Sequence, residues 1–334
     1  MLDRSKLLWL IKLCVAAAII TVVARQVDSA KLIDRFASAH VWPFAAATIA
    51  TTLAIFANAQ RWNSLTAHLQ LPIGLRVAST GYFEAMFFNQ ILPTGLGGDA
   101  VRGMRAYDAG LSVGLATLSV LLDRAFGLLS TALLILLAAG VGHTPIIATP
   151  IFSVLTIVSA IIVAGAVAGI IIGALVNPES YLKWVRPFAW AAKGFSTSSR
   201  SIRTVSSVIA MLIIANALSV CAISLCAASV GIQISWWNSM VLTQAIALSA
   251  VVPFSIGGWG VREGTSILLL APLGVSSTDA TAISIIFGFV LTLNALMGAA
   301  VWAFSGYRRL GRQQDIAAAT PPAAAVHNDT RLLT

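Results

Sequence analysis

Long apolar runs separated by short polar or charged segments dominate the sequence. The six longest runs cover residues 7–24, 41–60, 111–140, 151–176, 205–230 and 280–304. No Asp, Glu, Lys or Arg lies between Arg124 and Glu179, or between Arg203 and Arg262. A helix needs about 20 apolar residues to cross a bilayer. The pattern therefore predicts an all-α polytopic membrane protein with about six transmembrane helices.

Two further apolar segments end in a break that occurs twice in the chain. Residues 75–92 run into the sequence ILPTGLGGDAVRG at 91–103, and residues 236–252 run into VVPFSIGGWGVREG at 251–264. An offset of 160 residues aligns three parts of the break: Pro93 with Pro253, Gly97 and Gly98 with Gly257 and Gly258, and Arg102 with Arg262. Proline removes a backbone donor and glycine frees the dihedrals, so each segment predicts an interrupted helix that carries a positive charge.

The distribution of basic residues decides between two topologies. A basic loop covers residues 177–204, and a second basic cluster follows the last apolar run. If residues 75–92 crossed the membrane completely, the basic loop would face outside whenever the N-terminus lies inside, against the positive-inside rule. Two re-entrant hairpins that enter from opposite faces remove this conflict. We therefore predict six spans and two oppositely oriented re-entrant hairpins, with both termini cytoplasmic.

This arrangement makes the two halves an inverted repeat within one membrane domain. The domain covers residues 1–305, with repeat one at about 41–140, repeat two at about 201–305 and the basic cytoplasmic loop at 177–204. Residues 306–334 have a low-complexity composition that is typical of a disordered tail. Inverted repeats with interrupted helices at matching positions are typical of transport proteins, and their substrate site lies where the breaks meet near the midplane.

Composition narrows the classes of function. Hydrophobic residues make up 58% of the chain and charged residues 10%, against about 45–50% and 25% in soluble domains. The net charge of +9 follows the positive-inside pattern, which disfavours nucleic acid as a partner. The sequence contains no G-x-S-x-G, H-E-x-x-H or G-x-x-x-x-G-K-[ST] motif, and its cysteines and histidines lack metal-ligand spacing. We therefore predict no enzymatic activity, no cofactor and no metal.

The glycine-rich breaks predict a site for an anion. Consecutive backbone amides around the paired glycines form anion-binding concavities, and a helix that starts after a break points its positive end inward. Arg102 and Arg262 add full charges. In the alternative interpretation, these arginines lie at the mouth of each hairpin and pair with Asp99 or Glu263 or reach lipid headgroups.

Asp123 and Arg124 interrupt an apolar run where a charge is expensive. They lie about 18 Å along the helix from its start at residue 111, which is near mid-membrane. A charged residue there costs about 2.5–3.5 kcal/mol on insertion scales, so a partner or a wet cavity is expected. Neighbouring helix positions diverge, so the pair cannot neutralise itself on one face. Candidate partners for Arg124 are Asp99, Glu84 and Glu263, and the alternative is a buried ion pair with only a structural role.

Three motifs in order resemble the lysylphosphatidylglycerol synthase transmembrane region. They are N-x₂-LPTGLGGD-x₂-R at residues 89–102, VLLDR at 120–124 and GGWGVREG at 257–264. The resemblance covers residues 7–304, and the family also includes stand-alone, flippase-like membrane proteins. It implies translocation of a polar or charged lipid between leaflets. The sequence lacks the soluble aminoacyl-transferase domain of the full synthase, so we expect no aminoacyl transfer.

The residues and the resemblance together predict transport or flipping of a polar or anionic lipid across a bacterial cytoplasmic membrane. The alternatives are an accessory subunit or enzyme of lipid or glycolipid modification, and a secondary transporter of a small anion. Expected partners are the bilayer, a lipid with an anionic or polar headgroup and possibly a lipid-modifying transferase. The predicted substrate-binding residues are Asn89, Pro93, Gly97, Gly98, Asp99, Arg102, Asp123, Arg124, Gly257, Gly258, Arg262 and Glu263, with Glu84, Gln244 and Asn294 as secondary candidates.

The predicted topology is tested by labelling from the two sides of the membrane. Single cysteines near Ser196 and near Thr144, in a background without the native cysteines, should react from opposite sides, with Ser196 on the cytoplasmic side. The basic loop provides the physical reason, because cytoplasmic loops retain excess Lys and Arg. Labelling of both positions from one side would contradict the inverted-repeat topology.

Overall fold

The fold is taken from a computed structural model that describes residues 21, 25, 27–68, 72–92, 97–141, 144–175, 193, 202–249 and 258–319, with side chains up to residue 305. Within these ranges the regular structure is helical. The helices are α1 (Ser29–Ala37), α2 (Val41–His68), α3 (Leu75–Ile91), α4 (Gly97–Asp108), α5 (Val113–Val141), α6 (Pro150–Leu175), α7 (Ile202–Ser229), α8 (Trp236–Ser249), α9 (Val261–Leu270) and α10 (Ser277–Ala319).

Five helices are long and apolar enough to cross a membrane. Their spanning segments are Val41–Ala67, Val113–Val141, Pro150–Ile172, Thr204–Ser229 and Ser277–Ser305. They correspond to five of the six spans predicted from the sequence, and the sixth, at residues 7–24, lies outside the described part of the chain except for residue 21. The prediction of an all-α polytopic membrane protein is confirmed.

Two helices continue beyond the ends that the sequence predicted. The run at residues 41–60 was expected to end at Arg61, but α2 continues to His68 and buries the Arg61 side chain. A counter-charge inside the protein explains the difference, because it allows an arginine to remain within a span. At the other end, α10 continues to Ala319, where a disordered tail from residue 306 was expected. Alanine, arginine and glutamine, which are frequent after residue 306, favour helix.

Two pairs of short helices occupy the positions of the predicted hairpins. The first pair is α3 and α4, which pack against each other, and the second is α8 and α9. At 17 and 14 residues, α3 and α8 are about 25 and 21 Å long, less than the roughly 30 Å hydrocarbon core. Their lengths suit hairpins that turn back within the bilayer. Their depth and re-entry stay a prediction.

The order of the elements recurs in the second half of the chain. Helices α2, α3, α4 and α5 are followed, after α6, by α7, α8, α9 and α10, with corresponding lengths for α2 and α7. Packing between the halves is reciprocal, since α3 contacts α10 and α5 contacts α8, while α2 and α7 pack extensively on each other. Such an exchange of partners is expected of two repeats related by a pseudo-two-fold axis.

The backbones of α3 and α10 come into direct contact at Gly298. A Cβ atom added to Gly298 would lie 1.9 Å from the backbone oxygen of Phe83. Small residues allow this close approach between membrane helices, where dispersion contacts replace the hydrophobic effect as the driving force. The first hairpin is therefore fixed to the last helix at this point.

Gly298→Ala should destabilise the protein by about 1–3 kcal/mol or more, because the added methyl group has no space. Thermal unfolding of detergent-purified protein measures the effect. Gly165→Ala in α6 is the matched control, since an added Cβ there meets no atom within 4 Å. Equal melting temperatures for the two variants would contradict the close contact.

Candidate functional site

The centre of the site is the Asp123 carboxylate, which α5 carries into the interior. The Asp123 side chain is 1% exposed. It accepts a hydrogen bond from Arg61 Nε at 2.8 Å and from Arg102 Nη2 at 2.5 Å. The Tyr82 hydroxyl also donates to this carboxylate. Residues from α2, α3 and α4 thus converge on one acid of α5, which ties the first hairpin to two spanning helices.

The two arginines are held by further contacts. Arg61 donates through Nη1 to Asn58 Oδ1 at 2.7 Å and through Nη2 to the Tyr82 hydroxyl at 3.1 Å. The Arg102 guanidinium lies 4.1 Å from the centre of the Tyr82 ring and 4.5 Å from that of Trp62. Cation–π contacts of this kind stabilise a charge where water is scarce. Arg102 Nε is buried and has no hydrogen-bond partner among the described residues.

Arg124 has a more open position than its neighbour Asp123. Its Nε lies 2.5 Å from Asp99 Oδ2, and its side chain is 34% exposed. Of the three candidate partners that the sequence offered, Asp99 is the one that the structure brings to Arg124. Asp99 also lies 3.7 Å from Arg102 Nη1, so it bridges a buried arginine and an accessible one.

These side chains line a polar cavity of about 330 Å³. Its charged lining consists of three arginines and two aspartates, which leaves a surplus of one positive charge: Arg61, Arg102, Arg124, Asp99 and Asp123. A second part of the lining, which we call the neutral wall, comes from α7 and the later turns of α5 and carries uncharged hydrogen-bonding groups, namely Ser130, Thr131, Asn216 and Ser219. The cavity therefore combines a cationic side with a neutral polar side.

The structure brings five of the predicted site residues together. An amide of the first glycine break, which was expected to bind an anion, has a partner within the protein. Asn89, Asp99, Arg102, Asp123 and Arg124 line the cavity. The Gly98 amide donates to Asn89 Oδ1 at 2.9 Å, so this amide is occupied within the protein. A Cβ on Gly98 would lie 2.7 Å from the Ala85 carbonyl oxygen, which is why glycine is needed. Gly97 is also buried at the start of α4.

The second hairpin forms a separate charged cluster. Arg262 Nη2 donates to Glu263 Oε1 at 2.9 Å, and Arg262 Nε donates to Ser284 Oγ at 3.2 Å. Glu263 Oε2 accepts from the Gly260 amide at 2.5 Å and so caps its own helix. The Arg262 guanidinium lies 4.5 Å from the Trp259 ring centre. Arg262 and Glu263 are buried and do not line the polar cavity.

The two arginines that the 160-residue offset aligns, Arg102 and Arg262, each contact the long helix that follows their hairpin. Arg102 reaches Asp123 in repeat one, and Arg262 reaches Ser284 in repeat two. The contact in α10 is an uncharged serine, and Glu263 supplies the counter-charge from the arginine's own helix. Gly258, in the turn before this helix, has a φ of 81° that favours glycine.

The remaining predicted residues make contacts outside the cavity lining. Glu84 accepts from Arg105 Nε at 2.6 Å and from Ser305 Oγ at 2.8 Å. Gln244 donates to Asn216 Oδ1 at 3.0 Å. This hydrogen bond helps to orient Asn216, which lines the cavity. Asn294 Oδ1 accepts from Thr52 at 2.8 Å. Pro93 and Gly257 lie outside the described residues.

Sequence reasoning missed Arg61 and Tyr82. Arg61 directly follows an apolar run, so the sequence alone indicates an arginine at the membrane surface. Its spacing of three residues from Asn58 on one helix face was an available signal, because side chains at this spacing are neighbours. Tyr82 carried no comparable signal. Among the described residues, no group of three His, Cys, Asp or Glu is arranged to hold a metal ion.

Comparison with known families identifies the chain. The family model described as the lysylphosphatidylglycerol synthase TM region matches residues 9–298. The chain belongs to this family. Membership supports a membrane protein with a lipid-related function, and it confirms the resemblance carried by the three motifs. Neither the curated proteins nor the solved structures gave a match.

Within this family member, Asp123→Asn should lower the free energy of unfolding by about 3–5 kcal/mol, because it leaves two buried arginines without their shared counter-charge. Thermal or denaturant unfolding in detergent measures the loss. Asp279→Asn is the control, since Asp279 pairs with the half-exposed Arg35 at 2.7 Å and such pairs contribute about 0–1 kcal/mol. Similar losses in both variants would contradict the central role of Asp123.

Proposed function

We propose that the protein moves a lipid with a small anionic headgroup across the cytoplasmic membrane, and that the headgroup enters the polar cavity. The observation that carries this proposal is the cationic surplus of a cavity bounded by apolar spanning helices. Ionisable residues within a membrane are costly, and they mark substrate pathways more often than structural supports. A surplus of arginine over acid favours an anionic guest.

Arg124 is the residue best placed to bind the headgroup first. Arg61 and Arg102 are both bonded to the buried Asp123, whereas Arg124 is paired with the more accessible Asp99. A phosphate oxygen offers the same acceptor chemistry as the Asp99 carboxylate, and arginine binds either in a forked geometry. We infer that the headgroup replaces Asp99 on Arg124, which loosens the contact between α4 and α5.

The neutral wall suits the uncharged part of a headgroup. Asn216 donates to Ser130 Oγ at 3.4 Å, which is a long hydrogen bond. Asn216 Oδ1 accepts from Gln244 and has a second lone pair that can accept from a ligand hydroxyl. Asn58 and Asn89 add amide groups near the arginines. A headgroup with a phosphate and a small polyol would pair its charge with one side and its hydroxyls with the other.

A lipid is favoured over a small soluble anion because apolar surface adjoins the cavity. Ser130 and Asn216 line both the polar cavity and a neighbouring apolar cavity of about 430 Å³. Leu133 and Ile213 in that neighbouring cavity are exposed. A carrier of a soluble anion has no need of an apolar surface that opens sideways from its binding site. In the proposed orientation, both chain termini face the cytoplasm.

Arg124→Gln should reduce lipid transfer between leaflets by roughly tenfold or more, because it removes the charged, forked contact to the headgroup, and a hydrogen bond to a charged group contributes about 1.5–3 kcal/mol. Leaflet-resolved flux of fluorescent phosphatidylglycerol in proteoliposomes measures it. Arg124→Lys should restore only part of the flux, since a point charge cannot reproduce the forked contact.

The matched control for this experiment is Arg35→Gln. It breaks another arginine–aspartate pair, between Arg35 and Asp279 at 2.7 Å, and neither residue lines the cavity. It should leave the flux unchanged. Melting temperatures of both variants separate a loss of binding from a loss of folding. Normal flux in a folded Arg124→Gln protein would refute the proposed function of the cavity.

A further inference from the structure

Three of the four side chains in the neutral wall have their hydrogen-bond donors bonded within the protein. Asn216 donates through Nδ2 to the Leu212 carbonyl at 2.8 Å and to Ser130 Oγ at 3.4 Å. Ser130 and Ser219 each donate to a carbonyl of their own helix, at 2.9 and 2.8 Å. An amide nitrogen carries two donor hydrogens and a hydroxyl carries one, so these side chains have only acceptor lone pairs left for a ligand.

The arginines on the charged side of the cavity have the opposite polarity, because a guanidinium has donors and no acceptor. A ligand that contacts both sides therefore needs acceptors at one end and hydrogen-bond donors at the other. Hydroxyl and ammonium groups are the common donors of lipid headgroups. The surplus positive charge of the lining repels an ammonium. The neutral wall thus suits a hydroxyl.

The acceptor character of the wall depends on the direction in which the Asn216 amide faces. The Leu212 carbonyl can only accept, so the Asn216 nitrogen faces it and Oδ1 faces elsewhere. Gln244 Nε2 donates to this Oδ1 at 3.0 Å. Gln244 belongs to α8 in the second hairpin, is 1% exposed and does not line the cavity. The last torsion of an asparagine side chain is broad and roughly two-fold, so its hydrogen bonds decide its orientation.

We propose that Gln244 is a positioning residue that makes the cavity specific for headgroups with free hydroxyl groups. It acts through Asn216, by holding the amide so that a lone pair of Oδ1 is available to a ligand hydroxyl. The proposal rests on the proposed function and deepens it, because it names the class of headgroup as a phosphodiester that carries hydroxyls. It also gives the second hairpin a role at the cavity, which Arg262 does not line.

Two lipids of equal charge and similar size test this specificity. Phosphatidylglycerol carries free hydroxyls, whereas phosphatidylpropanol has the same phosphodiester without them. Native mass spectrometry of the detergent-purified protein measures the affinity for each lipid. One neutral hydrogen bond corresponds to roughly a two- to tenfold difference in affinity. We expect the wild-type protein to prefer phosphatidylglycerol by about this factor.

Gln244→Met removes the donor with little change in side-chain volume and should reduce the preference to below about twofold. Gln244→Asn withdraws the amide by one methylene and should have the same effect, which keeps the test available if Gln244→Met does not fold. Asn216→Val should also reduce the preference. Because Gln244 acts through Asn216, the double variant Asn216→Val/Gln244→Met should show no further reduction.

The matched control is Thr52→Val, which also deprives a buried amide oxygen of its donor. Thr52 donates to Asn294 Oδ1 at 2.8 Å, and neither residue lines the cavity. This variant should keep the wild-type preference. Equal affinities of the wild-type protein for the two lipids, an unchanged preference in the Gln244 variants, or an equal loss of both affinities in those variants would each overturn the proposal.

Arg124→Gln separates this proposal from the proposed function. It should weaken the binding of both lipids by a similar factor, because both carry the phosphate, and so leave the preference in place. Unchanged affinities in Arg124→Gln would refute phosphate binding at Arg124, whereas a preference that depends on Gln244 would still support hydroxyl recognition at the neutral wall. The same preference in a protein without lipid flux would refute translocation and keep the role of Gln244.

Discussion

The need to neutralise charge inside a membrane controls the first half of this protein. Asp123 is almost completely buried, and its carboxylate receives two arginines and a tyrosine hydroxyl from three other helices. In a low-dielectric interior, a charge without a partner costs several kcal/mol, so each of these four elements stabilises the position of the others. The same constraint lengthens α2 past Arg61 and fixes the hairpin of α3 and α4 against α5. The cavity lies beside this cluster, and the side chains of Asp99 and Arg124 in its lining are more exposed than that of Asp123.

The two halves of the chain satisfy this constraint in different ways, and the difference separates a cluster that lines a cavity from one that is closed on itself. In repeat one, the acid that neutralises Arg102 comes from α5, and the guanidinium contributes to a cavity wall. In repeat two, Glu263 lies next to Arg262 in the chain, and the pair is closed by Ser284 and the Gly260 amide. Such a self-contained pair stabilises the start of α9 and is satisfied by its own neighbours. A symmetric pair of hairpins at one headgroup, as the repeated motif predicted, stays a prediction.

The sequence predicted those features that depend on residues close together in the chain. Apolar runs longer than 20 residues gave the spanning helices, and the adjacent charges of Asp123 and Arg124 marked the site because no surface explanation fits them. Partners distant in the chain were harder to predict. Arg61 is 62 residues from Asp123, and the charge of Arg61 at the end of an apolar run has the same appearance as an interfacial residue. The Gly98 amide was assigned to an anion, but an acceptor nine residues earlier, Asn89, occupies it. A glycine-rich break indicates that a backbone amide is available outside the regular helix hydrogen bonds. It does not identify the acceptor that the amide will bind.

The contact between Gly298 and the Phe83 carbonyl has a consequence for how the protein moves. Two helices whose backbones touch cannot slide past each other without a steric clash, because packed interiors repack in discrete steps and do not deform continuously. The first hairpin and α10 are therefore expected to move together. Under the proposed function, entry of a headgroup is then expected to displace α7 against α5, where the long hydrogen bond between Asn216 and Ser130 is the contact that would break.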